Sequence, residues 1–243
     1  MNELEYFQLF IIDEILELLT EESNNYMKKM LLDKYGTDYK AIILKSNNYG
    51  TYADLYVKRG INKEDILAYI GIRIYMGLYK YSSIEEYWKD GLLHESMLKK
   101  IMPRAYFQMI STSLHFPEKI NDNNEITESE DNKNFDPRIK ILEFLKILVK
   151  NFQKHYILGN RITIDESLLH FTGKNKMKFY IPMKPHKWGF KLHLLCDADT
   201  SYVYNILFYP GKNNKEYFDF EDYSRPLGEK IGLKLLETID DNK

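Results

Sequence analysis

RITIDESLLHFTGKNKMKFYIPMKPHKWGFKLHLLCDADTSYVYNILFYPG, Arg161 to Gly211, is the stretch on which the fold turns. Three short runs in it, RITIDESLLHF, GFKLHLLC and SYVYNILFY, are rich in β-branched and aromatic residues and predict strands. Asp197-Ala198-Asp199-Thr200 are turn-forming residues between the last two, so these should form a hairpin. Asp165 lies inside the first apolar run. Successive strand side chains point to opposite faces, so Asp165 and Glu166 cannot both serve one ligand. A carboxylate within an apolar run is costly to desolvate unless something pairs with it. A divalent cation is one such partner, and hard oxygen donors suit Mg²⁺. An aspartate that caps a turn at a strand end is the other reading. Periodicity alone leaves both open.

Between Ser167 and Cys196 there is no acidic residue, while Lys174, Lys176, Lys178, Lys184, His186, Lys187 and Lys191 all fall there. Uncompensated cations bind phosphates by releasing counterions, which makes a DNA contact the favoured reading over a solvated hairpin. Such lysines position a backbone and do not read sequence. Tyr180 and Trp188 lie among them and are placed to stack on bases. The net charge of −2 conceals this segregation. Pro137 to Cys196 carries 12 Lys/Arg against 3 acids, and Glu118 to Asp136 carries 7 acids against 2 lysines.

Upstream the pattern is helical. Residues 6–19 are apolar at helical spacing. Asn62 is a good N-cap for the run ending near Gly77, with Glu64 and Asp65 in its first turn. Gly71 and Gly77 inside that run suggest close helix packing or a helix end. Ser83 and Glu86 read as a capping box before Trp88, a core residue. Pro103 suits a helix start. Residues 35–60 show no clear pattern. Residues 118–136 are polar and acidic and read as a linker. Asp136 and Pro137 then start a helix that Gly159 ends, and Ser224 and Pro226 open a last one.

The order is therefore helices, then β-β-β-α: an α+β or α/β chain. Its expected parts are a helical region at 1–117, a linker at 118–136, a connecting helix at 137–158 and an α/β region at 159–243. The single cysteine, Cys196, excludes an internal disulfide, suits a reducing compartment and reads as a buried inert thiol. No Cys/His cluster has zinc spacing. No apolar run reaches the roughly 18 residues of a membrane span. The N-terminus lacks signal-peptide features. G-x-S-x-G, P-loop and dinucleotide fingerprints are absent, so nothing points to a small-molecule substrate. Asp197 and Asp199 are explained by the turn. Asp240 and Asp241 read as a solvated tail. His115, His155, His170 and His193 are scattered, and Lys80 and Arg104 are single charges that decide nothing.

ILAYIGIRIYMGLYKYSSIEEYW, MPRAYFQMISTSLHF, DPRIKI and, above all, TIDESLLHFTGK with YIPMKPHKWGFKLHLLCDADTSYVYN carry a family resemblance. The chain resembles piggyBac-type transposases and the host genes derived from them, over nearly its whole length. The resemblance implies a ribonuclease-H-like catalytic domain, here β-β-β-α and ending before a fourth strand. It also implies three aspartates that hold two Mg²⁺ ions, which cut DNA and join ends at TTAA targets. By motif Asp165 matches the first aspartate, and the second and third are expected beyond Lys243. This chain alone is then expected to be inactive. The helical region would grip transposon-end DNA and form a homodimer. A nuclear location follows from DNA binding, though no import run is visible; without it the location is cytoplasmic. A truncated or domesticated relative that binds DNA or a protein partner without cutting is the alternative.

Overall fold

Two helices that the sequence pattern merges into one open the chain: α1 (Glu3–Gln8) and α2 (Asp13–Tyr35). The computed structural model describes residues 1–45, 51–90, 96–116, 138–175, 177–210 and 225–239. The acidic stretch 118–136, the Asp136–Pro137 cap, Lys176, Ser224 and the Asp240–Asp241 tail lie outside the described residues. The chain divides into two units: residues 11–117, and residues 118–243 together with 1–10. The helical unit thus begins at Ile11, not at residue 1.

In the helical unit α2 is followed by α3 (Tyr39–Lys45), α4 (Tyr52–Arg59), α5 (Lys63–Leu78), a 3₁₀ turn (Ile84–Trp88), α6 (Met97–Ile101) and α7 (Arg104–Ser113). The unpatterned region 35–60 is therefore mostly helical where described, with Gly36 to Asp38, Thr51 and Gly60 outside the helices. Leu31, Tyr39 and Ile43 pack together with Tyr35, Ala53, Tyr56 and Val57 around them. α5 starts as expected. Asn62 Oδ1 accepts from the Asp65 amide at 2.8 Å, and Asp65 Oδ2 accepts from the Asn62 amide at 3.1 Å. A Cβ at Gly71 or Gly77 would meet nothing, so helix packing does not explain these glycines; the helix simply ends at Leu78. The expected Ser83 box does not form. Glu86 instead accepts from the Ser82 amide and hydroxyl.

Asp65 also joins a second network in this unit. Arg59 Nη2 donates to Asp65 Oδ1 at 2.6 Å. The Tyr106 hydroxyl is shared between Asp65 Oδ2 (2.7 Å) and the Gly60 carbonyl (2.6 Å). The Arg59 guanidinium lies 4.2 Å from the Tyr106 ring centroid. Burial and the neighbouring Asp65 push the Tyr106 hydroxyl well above the usual phenol range. Gly60 closes α4 with φ of +69°, a conformation that glycine takes without a Cβ penalty. Trp88 is core, as expected: it is buried, and its Nε1 donates to the Met102 carbonyl at 2.7 Å.

The other unit contains α1, α8 (Ile139–Lys154), β1 (Ile162–His170), β2 (Lys178–Tyr180), β3 (Trp188–Asp197), β4 (Val203–Phe208) and α9 (Leu227–Leu236). β3 is central. β1 runs antiparallel along one side of it, and β2 and β4 pair antiparallel with its two halves on the other side. Leu195, Ile231 and Leu235 form the core between sheet and α9, with Tyr204, Leu207, Leu236 and Ile239 packed against it. Phe10 packs on Phe152 of α8 at 5.5 Å, and Asn151 donates to the Phe10 carbonyl, which ties the first residues to this unit.

Candidate nucleic-acid interface and carboxylate site

The β3–β4 hairpin decides what Asp197 does. Its Oδ1 accepts from the amides of Asp199 and Thr200, and its Oδ2 from the amide of Gly159. Those amides, Thr200's first, hold the carboxyl down at about 2. A Cβ at Gly159 would stand 2.7 Å from that Oδ2. Ser201 takes the left-handed backbone conformation that closes the turn, at φ of +61°. Asp199 pairs with Arg161. Asp197 is committed to the turn, as its sequence context predicts, whereas the Asp199 carboxylate is spent on Arg161.

Register divides the sheet into two faces. Asp165 stands opposite Leu194, and Glu166 opposite His193. Asp165 therefore shares a face with Ser167, Leu169, Phe190, Leu192 and Cys196, and Glu166 shares the other with Lys191, His193 and Leu195. The two carboxylates do point apart. One expectation is corrected: Asp165 is exposed, so no desolvation penalty requires a partner. Asp165 Oδ1 accepts from the Glu166 amide at 2.7 Å. The Glu166 carbonyl accepts from Lys184 Nζ at 3.3 Å. These two backbone groups mark the edge of β1 turned away from β3.

On the opposite face Glu166 is bound to Lys191 at 2.5 Å. That bond lowers the Glu166 carboxyl below its ordinary range. His193 is buried, and its Nε2 has no hydrogen-bond partner among the described residues. Burial first, and then the Lys191 charge, keep its imidazole less basic than usual. Cys196 is half-buried, and burial with the Asp165 charge raises its thiol, as expected of an unreactive cysteine.

The basic candidates are not equivalent. Lys191 is tied to Glu166 on the face away from Asp165. Lys178 Nζ donates to the Gly173 carbonyl at 2.7 Å and lies 4.9 Å from the Trp188 ring centroid. Lys184 reaches the edge of β1. Lys174, His186 and Lys187 are exposed. His186 stacks on His170 with centroids 4.4 Å apart. Gly189 lets β3 pass close to β1, since a Cβ there would sit 2.2 Å from the Leu169 carbonyl oxygen. The pairing of Glu166 with Lys191 escaped sequence reasoning. The signal available was a diagonal cross-strand neighbour, readable only once the register is known.

Asp165 is one hard oxygen donor of the kind Mg²⁺ takes. Among the described residues no group of three His, Cys, Asp or Glu side chains comes together to hold a metal. The described residues therefore do not by themselves form a two-ion site, which needs several carboxylates around ions roughly 3.5–4 Å apart. Among the same residues no helix is long and apolar enough to cross a membrane.

A family model described as Transposase IS4 matches residues 2–243. PiggyBac transposable element-derived protein 2 of Homo sapiens is 25% identical over 199 residues, covering 82% of this chain and 31% of that protein. The cryo-EM structure of the piggyBac transposase synaptic complex with hairpin DNA superposes with a TM-score of 0.70 at 23% identity. That match covers 97% of this chain and 43% of the other. The chain thus spans less than half the length of either relative. The mixed helical and antiparallel-sheet fold is one that piggyBac transposase shares.

Proposed function

The chain belongs to the Transposase IS4 family, in its piggyBac-type branch, and from that premise we propose that it is a transposase segment that binds transposon-end DNA. In this reading Asp165 is the first carboxylate of a divalent-metal site that cuts and joins DNA at TTAA. The family generally works with a divalent metal. β3 between β1 and β4, all antiparallel and followed by α9, supports reading this unit as the opening part of a ribonuclease-H-like domain. The observation that carries the proposal is Asp165 itself: an exposed carboxylate on the first strand, on the face away from the Glu166–Lys191 pair. Asp165 would supply one hard oxygen donor to such a metal, and the chemistry a bound divalent ion would supply there is activation of a water or hydroxyl as nucleophile. Lys174, Lys178, Lys184, His186 and Lys187 would face phosphates. Lys176 belongs to the same proposal. Lys191 serves Glu166 and is not a primary contact. A homodimer through the helical unit and a nuclear location complete the reading.

The test pairs two assays on wild type and Asp165→Asn. Fluorescence anisotropy measures end-DNA binding across a salt series, and a nicking assay is run with Mg²⁺ or Mn²⁺. Salt-sensitive binding by both proteins, with metal-dependent nicking by wild type alone, supports the transposase reading. Salt-sensitive binding without nicking by either is the result expected of a segment that holds one of the carboxylates, and it equally fits a relative that binds DNA without cutting. Failure of both proteins to bind DNA overturns both.

A further inference from the structure

We propose that Tyr180 and Trp188 form a stacking platform for an unpaired DNA base, an inference that rests on the DNA-binding reading above. The two residues face each other directly across the β2–β3 ladder. Their ring centroids are 4.8 Å apart, with the planes tilted by 51°. Tyr180 is 48% exposed and Trp188 is 47% exposed, and Met183 in the intervening loop is 91% exposed. Large aromatic surfaces are ordinarily the most valuable to bury. The other tryptophan of the chain shows the contrast, since Trp88 is 6% exposed and hydrogen-bonded.

The tilt leaves an open angle between two π-faces instead of a closed stack. Lys178 lies over the indole. Lys174, His186 and Lys187 are exposed on the same segment, which contains no acid from Ser167 to Cys196. Half-bare aromatic rings beside exposed basic side chains match the chemistry of a nucleotide: a flat base flanked by anionic phosphates. In a duplex the π-faces are already stacked on one another, so only the phosphates remain available. A frayed end, a gap or a hairpin loop offers both. By strand register the pair lies on the same sheet face as Asp165. Trp188 is displaced along β3 from Leu194, the partner of Asp165, by roughly 20 Å at strand rise. The platform would therefore hold a base away from the carboxylate, not at it.

Tryptophan emission tests this on the full chain. A single-stranded dT oligonucleotide of about twelve residues and a duplex of equal length are titrated into wild type, Tyr180→Leu, Trp188→Leu and Trp188→Phe. The expected result is quenching by the single strand in wild type that disappears in Trp188→Leu. Single-strand affinity, read by anisotropy of a labelled oligonucleotide because the Trp188 variants lack the reporting indole, should fall by about tenfold in each Leu variant and recover in Trp188→Phe, with duplex affinity nearly unchanged. Trp88 belongs to the helical unit and does not report on this one, so far-ultraviolet circular dichroism during a urea melt identifies any variant whose sheet-bearing unit has lost its fold. Equal losses on both DNAs in folded variants, or single-strand binding without quenching, would overturn the platform while sparing the DNA reading. Absence of binding to either DNA by wild type would overturn both.

Discussion

Charge removal at Lys174 and Lys187 should change the salt dependence of DNA binding, whereas removal at Lys191 should not. The structure separates these residues. Lys174 and Lys187 are exposed, while Lys191 is spent on Glu166 at 2.5 Å on the opposite face from Asp165. Each neutralised phosphate contributes about 0.9 to the slope of log K against log salt on duplex DNA. The double variant Lys174→Gln with Lys187→Gln should therefore lower the slope by about 1.8. Over a fourfold salt range, 50 to 200 mM, wild type should lose about tenfold more affinity than the double variant. Lys191→Gln should leave the slope where it is and lower stability instead, because it strands the half-buried Glu166 carboxylate. Anisotropy titrations of a labelled duplex at five or six salt concentrations give the slopes, and urea melts give the stabilities. An unchanged slope in the double variant would refute the assignment of phosphate contacts. So would a fall in slope for Lys191→Gln as large as for either exposed lysine.

Three further outcomes are expected. Tyr106→Phe removes the hydroxyl shared by Asp65 and Gly60, and should destabilise the helical unit by about 1.5–3 kcal/mol, the cost of a hydrogen bond to a charged group; a urea melt within about 0.5 kcal/mol of wild type would show the network to be dispensable. Leu235→Ala, at a position with no solvent exposure, should cost about 2–5 kcal/mol in the α/β unit; chemical denaturation followed by circular dichroism reads it. Asp197 carries an acid-linked stabilisation: its folded carboxyl lies at about 2, against about 3.9 in an unfolded chain, so the contribution is present above about pH 4 and fades as pH falls towards 2. Asp197→Asn should flatten stability against pH in that window, and an unaltered profile would contradict the turn-capping role.

Local chemistry was legible in the sequence where it needs only near neighbours. The Asn62 cap formed as read, and so did the Asp197–Thr200 turn, because cap and turn residues act within three positions; that Asp65 closes a reciprocal box with Asn62 was not read. What depended on tertiary contacts was not legible. The continuous apolar pattern of residues 6–19 breaks before Asp13 because Phe10 packs on Phe152, far along the chain. α3 and α4 are only 7 and 8 residues long and rich in polar or tyrosine side chains, too short for periodicity to stand out. Ser83 lost its expected partner because Glu86 turns to Ser82. In the site, alternation alone placed Asp165 and Glu166 on opposite faces. The exposure of Asp165, the claim of Glu166 on Lys191 and the three-residue strand that sets Tyr180 against Trp188 all required the register of β3.

The claim that everything else leans on is that the Asp165 carboxylate accepts a divalent cation. Paramagnetic broadening by Mn²⁺ in amide NMR spectra tests it on this chain without requiring activity. The account predicts selective loss of signal at Thr163 to Ser167 and at Leu194, the residue opposite Asp165, abolished by Asp165→Asn with the remaining spectrum intact. Broadening centred on other carboxylates, or unchanged when Asp165 is replaced, would contradict it.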